Sequence, residues 1–344
     1  MKRITAGRTL QNCYQSVKVA WRHFLPCSAC GIMSHTRFFG ENWIKARKAP
    51  ENTNDEELGA MENPMRPNTM LRKAVVLRRS CGKGMDTMNE LRQREGFLCD
   101  MDGVIYHGNK LLPGVTEFVE WLYAEGKKFL FLTNSSRSTP VELAQKLKRM
   151  GLDVDPSHFY TSALATANFV ASQAPGASAY VIGEHGLQNA LYAAGIPFND
   201  VDPDFVIFGE PDSYNYDQIV RAIRLVERGA RLIGTNSDLT GPSEFGILPS
   251  CRAMIAPIEL ATNKKAYFVG KPNPLMMRTG LRLLGAHSEN VAIIGDRMDT
   301  DIIAGIETGL DTALVLSGVT SRSEIESYPY RPRLVLNGVG DIPG

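Results

Sequence analysis

The sequence contains no run of apolar residues long enough to cross a lipid bilayer. It also lacks an excess of charge of one sign, because its formal net charge is only +1. This balance gives no general reason to expect nucleic acid or an anionic membrane as a partner. The 344 residues are 43% apolar and 22% charged, which is ordinary for a soluble globular protein of one large domain or two.

The six cysteines do not form a pattern typical of a structural zinc site. Cys27 and Cys30 form one CxxC pair, but no second pair follows, and His35 does not complete a set of four ligands. Cys99 falls in an apolar run and is expected to be a small buried hydrophobic residue. Scattered cysteines of this kind favour a reducing compartment, and we therefore predict a cytoplasmic protein.

Residues 1–95 differ from the rest because they show no sustained helical or strand period. Two interpretations remain open. In the first, the segment is a disordered extension or translated sequence upstream of a natural start at Met85 or Met88. In the second, it is an organelle transit peptide. The second interpretation rests on the basic first forty residues, in which no acid precedes Glu41. The length of the segment and its acidic middle favour the first.

From Gly96 onward, short apolar runs alternate with segments of helical spacing. The strand-like runs are FLCD, KKFLFLTN, AYVIG, DFVIFG, ARLIGTN, AYFVGKP, NVAIIGD and TALVLSG. Helical segments between them, such as GVTEFVEWLYAEG, end at glycine, as helices often do. This alternation predicts an α/β fold whose parallel sheet is covered on both faces. We assign 96–176 and 263–344 to a Rossmann-like core, and 177–262 to an inserted α/β domain.

Polar side chains follow four of the predicted core strands. They are Asp100 and Asp102 after the first strand, Thr133 and Asn134 after the second, Lys271 after AYFVG, and Asp296 after NVAIIG, with Asp299 and Asp301 close behind. Because the carboxyl ends of parallel strands share one edge, these groups can converge in one crevice. Together they form the set that phosphoryl transfer through an aspartyl-phosphate requires.

Each motif taken alone has a simpler explanation. The Asp100–Asp102 pair could be a turn or a calcium loop, although the following residues VIYHGN do not supply the oxygens of an EF-hand loop. Thr133 and Asn134 alone would suggest a strand-end turn or a helix cap. Lys271 alone would suggest a solvated lysine, and Asp296 with Asp301 would suggest acids at a helix N-terminus. Their shared placement at strand ends favours the chemical interpretation.

The four segments DMDGV, LTN, GKP and GDRMDTD resemble the four motifs of the haloacid-dehalogenase-like hydrolases. The insertion between the second and third motifs is similar to the type-IIA cap of that superfamily. YVIGEHGL, IGTNSD, VGKPNP, AHSE and LVLSGV resemble the NagD-like phosphatases in particular. The resemblance covers the chain from Gly96 nearly to its end.

The resemblance implies a role for each matching residue. Asp100 is the nucleophile that becomes the phosphoenzyme, and Asp102 is the general acid and then the general base. Mg²⁺ is held by Asp100, by the backbone carbonyl of Asp102 and by Asp296.

Other matching positions serve the phosphoryl group. Thr133 and the backbone at Asn134 bind its oxygens, and Lys271 offsets negative charge on the nucleophile and on the transferred group. Asp301 orients either the metal's water or Lys271, whereas Asp299 falls at a position that the family leaves variable.

In the insertion, residues 235–238 and 246–259 are expected to face the active site. Relatives commonly have glycine where this chain has Arg252, and three interpretations remain open. Arg252 strains the loop, contacts a second polar or anionic group of the substrate, or faces solvent. The region from Asn236 to Pro249 lacks the histidine that pyridoxal-phosphate phosphatases of this type carry. Three histidines are expected to be surface residues or to have structural partners: His107, His185 and His287.

The sequence therefore predicts a Mg²⁺-dependent phosphatase of small phosphomonoesters, either nucleoside monophosphates or sugar phosphates. The alternatives are phosphoglycolate, substrates of the 4-nitrophenyl phosphate type, and a non-catalytic protein that binds phosphometabolites. A carbon–halogen hydrolase is disfavoured by Asp102 and the set of metal ligands. A homo-oligomer is compatible with the sequence, whereas no nucleic acid or membrane partner is expected.

Overall fold

The computed structural model describes residues 87–243 and 246–344. The predictions for residues 1–86, which include the CxxC pair, Met85 and the transit peptide, lie outside the described residues. Within the described part, no helix combines the length and apolar character needed to cross a membrane.

The strands are numbered along the chain. They are β1 (Gly96–Asp100), β2 (Tyr106–His107), β3 (Lys110–Leu111), β4 (Lys128–Thr133), β5 (Phe159–Thr161), β6 (Ala179–Ile182), β7 (Phe205–Phe208), β8 (Arg231–Gly234), β9 (Thr240–Ser243), β10 (Gly246–Pro249), β11 (Tyr267–Phe268), β12 (Val291–Gly295), β13 (Asp311–Val315) and β14 (Leu334–Leu336).

The α-helices connect most of these strands. They are α1 (Val115–Ala124), α2 (Pro140–Arg149), α3 (Ser162–Gln173), α4 (His185–Ala193), α5 (Tyr216–Glu227), α6 (Cys251–Thr262), α7 (Pro274–Leu284) and α8 (Ile303–Thr308). A π-helical turn, Met298–Ile302, leads into α8.

The main sheet is parallel and confirms the predicted α/β fold. Its strand order is β14-β13-β12-β1-β4-β5, so β1 lies in the interior between β4 and β12. The first four residues of β1 are fully buried, as expected for a strand covered by helices on both faces. The helix that follows β4 begins with a capping box, in which Thr139 and Glu142 each bond the other's backbone N–H. This cap fixes where the chain leaves the sheet edge.

The inserted segment forms a second parallel sheet with the order β11-β8-β7-β6. One hydrophobic cluster includes Leu98 and Ile293 of the main sheet together with Ile207 and Ile233 of the smaller one. The two sheets therefore share a continuous apolar contact.

The position of β11 corrects one prediction. We expected AYFVG to be a strand of the core and placed the end of the insertion at residue 262. In the structure Tyr267 and Phe268 instead pair with Ile233 and Gly234 of β8. A short apolar run indicates a strand but not the sheet that it joins, and only two residues of this run pair.

The packed structure also begins earlier than Gly96. Residues 87–92 are helical, and Leu91 is 2% exposed and belongs to the main core. Arg92 Nε donates to the carbonyl of Ile342 at 2.6 Å, and Arg94 Nε bonds Asp311 Oδ2 at 2.6 Å. This short segment is therefore fixed to the C-terminal part of the fold.

Replacing Leu91 by Ala is expected to lower the free energy of unfolding by about 2–5 kcal/mol, because it removes buried contacts and leaves a cavity. Urea denaturation of the full chain measures this change. The exposed neighbour Asn89, changed to Ala, is the control and should shift stability by no more than about 0.5 kcal/mol. Equal stability of the two variants would show that Leu91 contributes nothing to the core.

Candidate active site

The predicted residues meet at the carboxyl edge of the main sheet. Strands β1 and β4 end at Asp100 and Thr133, and Asp296 directly follows β12. They line a cavity of about 330 Å³ together with Asp102, Asn134 and Lys271. Lys271 was expected to follow a strand of the core, but it follows β11 of the smaller sheet. Both sheets therefore contribute to the site.

Lys271 is the buried cation of this site. It is 2% exposed, and its Nζ donates to Asp100 Oδ1 at 2.5 Å and to Asp301 Oδ1 at 2.7 Å. Burial disfavours its charge, but the attraction of the two carboxylates outweighs burial and raises the pKa of Lys271 above its ordinary value. The ammonium therefore remains charged beside the predicted nucleophile.

Three carboxylates stand close enough together to hold a metal ion. One oxygen from each of Asp100, Asp296 and Asp301 lies within 4.8 Å of the others. Burial, followed by the charges of Asp100 and Asp301, raises the pKa of Asp296 to about 8. Burial and Asp100 also raise the pKa of Asp301, against the effect of Lys271. A divalent cation would relieve this repulsion, so the donors fit a metal of the Mg²⁺ type.

The Asp296 side chain is held on one side and free on the other. Its Oδ2 accepts the backbone N–H of Val319 at 2.7 Å, whereas its Oδ1 is buried and has no hydrogen-bond partner. A Cβ added at Gly318 would lie 2.0 Å from Oδ2, and one added at Gly103 would lie 2.6 Å from it. Only glycine fits at these two positions, and the free Oδ1 is available to a metal.

Asp102 lies at the mouth of the same cavity. Its side chain is 45% exposed, although its Oδ1 is buried and has no hydrogen-bond partner. Burial raises the pKa of Asp102, and the charges of Lys146 and His107 oppose this shift. A carboxyl group with a raised pKa is suited to donate a proton.

Asn134 joins the predicted phosphate-binding loop to Lys271. Its Oδ1 accepts the backbone N–H of Lys271 at 2.7 Å, and its Nδ2 donates to Asp238 Oδ2 at 2.9 Å. Its backbone carbonyl accepts Asn236 Nδ2 at 2.8 Å. The segment 235–238, which follows β8 of the smaller sheet, thus contacts the active-site loop, as predicted.

Arg252 does not lie in a strained loop. It is in the first turn of α6, and among the described residues only Asn263 combines a side chain with a positive φ. Arg252 is exposed, and its guanidinium carbon lies 5.2 Å from the ring centroid of Phe268. The strain interpretation is therefore wrong.

Lys146 lines the cavity but is not among the residues predicted from the sequence. Its Nζ lies 3.8 Å from the ring centroid of Tyr106, and burial lowers its pKa. Within the described residues no carboxylate lies within 4.0 Å of it. Lys146 lies one turn after the buried Leu143 of α2, so a helical period places it beside the buried face but does not show which part of the fold it contacts.

Comparison with known proteins identifies the family of this chain. The family description "Haloacid dehalogenase-like hydrolase" matches residues 97–197, and "HAD-hydrolase-like" matches residues 268–342. A dihydroxyacetone phosphatase of Corynebacterium glutamicum is 47% identical over 246 residues, which cover 72% of this chain and 90% of that protein. The chain belongs to the haloacid dehalogenase-like hydrolases.

Further members of this hydrolase family support the assignment. The ribonucleotide monophosphatase NagD of Escherichia coli K12 is 45% identical over 72% of this chain and 98% of its own. Its solved structure has a TM-score of 0.69 at 43% identity, covering 73% of this chain and 98% of that one. The structure of a 4-nitrophenylphosphatase of Thermotoga maritima has a TM-score of 0.71 at 32% identity. The match covers 74% of this chain and 98% of that one. The predicted family, fold class and class of enzyme, a phosphatase, are confirmed.

Proposed function

We propose that the protein is a Mg²⁺-dependent phosphatase that hydrolyses small phosphomonoesters through an aspartyl-phosphate. The observation that carries this proposal is the buried Lys271 ammonium between Asp100 and Asp301, with Asp296 beside them. A carboxylate paired with a fixed cation in a cavity is suited to attack an anionic phosphate group.

In the first step, an Asp100 oxygen forms a bond to phosphorus and the ester bond breaks. Asp102 gives its proton to the departing oxygen, so the alcohol leaves neutral. In the second step, Asp102 takes a proton from water as the water oxygen bonds to phosphorus, and the bond to Asp100 breaks. Inorganic phosphate leaves, and both carboxyl groups return to their starting states.

Asp100, the backbone carbonyl of Asp102 and Asp296 are the proposed ligands of Mg²⁺. The ion would offset the negative charge of the nucleophile and of the phosphate oxygens. Thr133 and the backbone at Asn134 are proposed to bind phosphoryl oxygens. The contact of Asp301 with Lys271 supports the alternative in which Asp301 orients the lysine.

The proposed substrates are nucleoside monophosphates or sugar phosphates. The names of the relatives include a ribonucleotide monophosphatase, an acid sugar phosphatase and a dihydroxyacetone phosphatase. Phosphoglycolate and 4-nitrophenyl phosphate remain alternatives, and the latter is supported by the similar structure of a 4-nitrophenylphosphatase. Release of phosphate from a panel of these monophosphates, with and without a chelator, tests the proposal. Absence of release from every member, with Mg²⁺ present, would contradict it.

Lys146 lines the cavity and has no carboxylate within 4.0 Å among the described residues, which gives the first prediction about substrate recognition. Replacing Lys146 by Met should lower kcat/KM for dihydroxyacetone phosphate by about 10- to 100-fold, because a charged hydrogen bond to an oxygen of the leaving group is lost. The loss should be smaller for 4-nitrophenyl phosphate. Steady-state kinetics with both substrates measure it.

Lys148→Met is the matched control for Lys146→Met. Lys148 is on the same helix but exposed, where it pairs with Asp153, so its loss should leave kcat/KM nearly unchanged. An equal effect of the two substitutions would remove Lys146 from substrate recognition.

Mg²⁺ binding is expected to depend on pH. Because the pKa of metal-free Asp296 is raised to about 8, this carboxyl group is largely protonated at about pH 7 and must lose its proton to bind the ion. The apparent Mg²⁺ affinity should therefore rise with pH until about pH 8, with release of about one proton per ion at about pH 7. Isothermal titration calorimetry in two buffers of different ionisation enthalpy measures this release. A Mg²⁺ affinity independent of pH in this range would contradict it.

A further inference from the structure

The described residues contain a second cavity, of about 590 Å³, that is larger than the active-site cavity. It lies at the amino ends of strands β7, β8 and β11, where Phe205, Arg231 and Tyr267 line it. The C-terminal half of α3 closes another side through Phe169 and Gln173. It is therefore built from the smaller sheet and from a helix that follows the main sheet.

The elements around the second cavity also reach the active site. Strand β11 leads from Tyr267 to Lys271, and β8 leads from Arg231 to Asn236, which bonds the carbonyl of Asn134. Helix α3 begins at Ser162, whose Oγ donates to the same carbonyl at 2.6 Å. Three elements therefore connect the surroundings of the two cavities, as coupling between two sites through packed structure requires.

The side chains around the second cavity favour an anion. Arg231, Lys264 and Lys265 line it, whereas Glu227 is its acidic residue. Among the described residues, none of these three cations has a carboxylate within 4.0 Å. With three cations and one acid, the lining has an excess of positive charge.

Aromatic rings stand beside these cations. The rings of Phe169 and Tyr267 are stacked with centroids 5.0 Å apart, and the guanidinium carbon of Arg231 lies 3.9 Å from the centroid of Phe205. Tyr267 is 46% exposed, which leaves ring surface open to a ligand. Aromatic faces and cations in one cavity are suited to a flat ring that carries phosphate groups.

We propose that the second cavity binds a nucleoside diphosphate and that occupancy changes the rate of phosphate hydrolysis at the active site. The three cations meet the phosphate groups, and the rings at Phe169 and Tyr267 meet the base. The binding half of this inference is independent of the proposed function, and the rate half rests on it.

Calorimetric titration of the full-length Asp100→Asn protein with ADP tests the binding half. The triple substitution of Arg231, Lys264 and Lys265 by Ala in that background should raise the ADP Kd at least about tenfold. Removing the same charge from exposed positions by Lys110→Ala, Lys148→Ala and Arg278→Ala should leave Kd within about twofold.

Phe169→Ala should also weaken ADP binding, and pyrophosphate or adenosine alone should bind at least about tenfold more weakly than ADP. An unchanged Kd in the Arg231 triple variant overturns the site, and pyrophosphate binding as tightly as ADP overturns the nucleotide as ligand.

Hydrolysis of 4-nitrophenyl phosphate by the protein with native Asp100 tests the rate half. Saturating ADP should change kcat at least about twofold, and the triple variant should keep its basal kcat but lose this response. If ADP changes KM but not kcat, ADP competes with the substrate in the active site. That result would overturn the regulatory role of the second cavity. If no phosphate is released at all, the proposed function fails, while the titration still decides whether the cavity binds ADP.

Discussion

Replacing Asp100 by Asn should lower kcat for every hydrolysed phosphomonoester by at least about a thousandfold, because the amide that replaces the carboxylate is a poor nucleophile. The side chain keeps its size, and Lys271 keeps its bond to Asp301 at 2.7 Å. The fold should therefore survive, and the loss should reflect chemistry. Stopped assays of phosphate release measure kcat, and circular dichroism confirms the fold.

Asp299→Asn is the matched control for Asp100→Asn. Asp299 lies in the same region of the sequence as Asp296, but its side chain is exposed and accepts two hydrogen bonds from Arg297. The substitution should leave kcat within about threefold. Activity of Asp100→Asn equal to that of Asp299→Asn would remove the proposed nucleophile and, with it, the aspartyl-phosphate.

Replacing Lys271 by Met should lower the free energy of unfolding by about 3–5 kcal/mol in metal-free buffer, because it leaves buried carboxylates without their cation. Asp301 is fully buried, and the Asp100 side chain is only 12% exposed, so water would compensate little for the loss of the ammonium. Catalysis should also be lost. Urea denaturation with and without Mg²⁺ measures stability, and the ion should recover part of the loss by binding the carboxylates.

The direction of the pH dependence of this loss follows from the carboxyl groups. Burial raises the pKa of Asp296 and of Asp301, so acid protonates them and removes the repulsion that the missing lysine leaves behind. The stability deficit of Lys271→Met should therefore shrink as pH falls from about 8 to about 5. Lys148→Met, which breaks an exposed pair, should cost below about 1 kcal/mol at either pH. If Lys271→Met also lowers the free energy of unfolding by less than about 1 kcal/mol, the buried ion pair does not stabilise the fold.

Most strands and helices of the core could be located from the sequence, because buried parallel strands are short apolar runs and the helices between them end at glycine. The predicted site residues meet at one sheet edge because strand ends are positions that sequence can locate. Asp100 and Thr133 end strands that the apolar pattern identifies, and Asp296 directly follows another. The physical rule that parallel strands share an edge then brings them together without further information.

What the sequence could not supply was contact between distant segments. Lys146 enters the cavity from a helix whose pattern predicts a buried face but not the neighbour of that face. Leu91 was assigned to an unstructured extension because one helical turn is too short to show a period. Arg252 was placed in a loop, although the chain from Cys251 to Thr262 is helical.

The pairing of β11 with β8 has a practical consequence for building chimeras within the family. A graft that ended at residue 262 would take β8 from one parent and its edge partner Tyr267–Phe268 from the other, so the paired strands would come from different proteins. A junction after Phe268 keeps the graft's sheet intact, but the donor sheet then determines where the host's Lys271 stands. Exchanging insertions to change substrate selectivity will therefore also change the position of the Lys271 ammonium relative to Asp100.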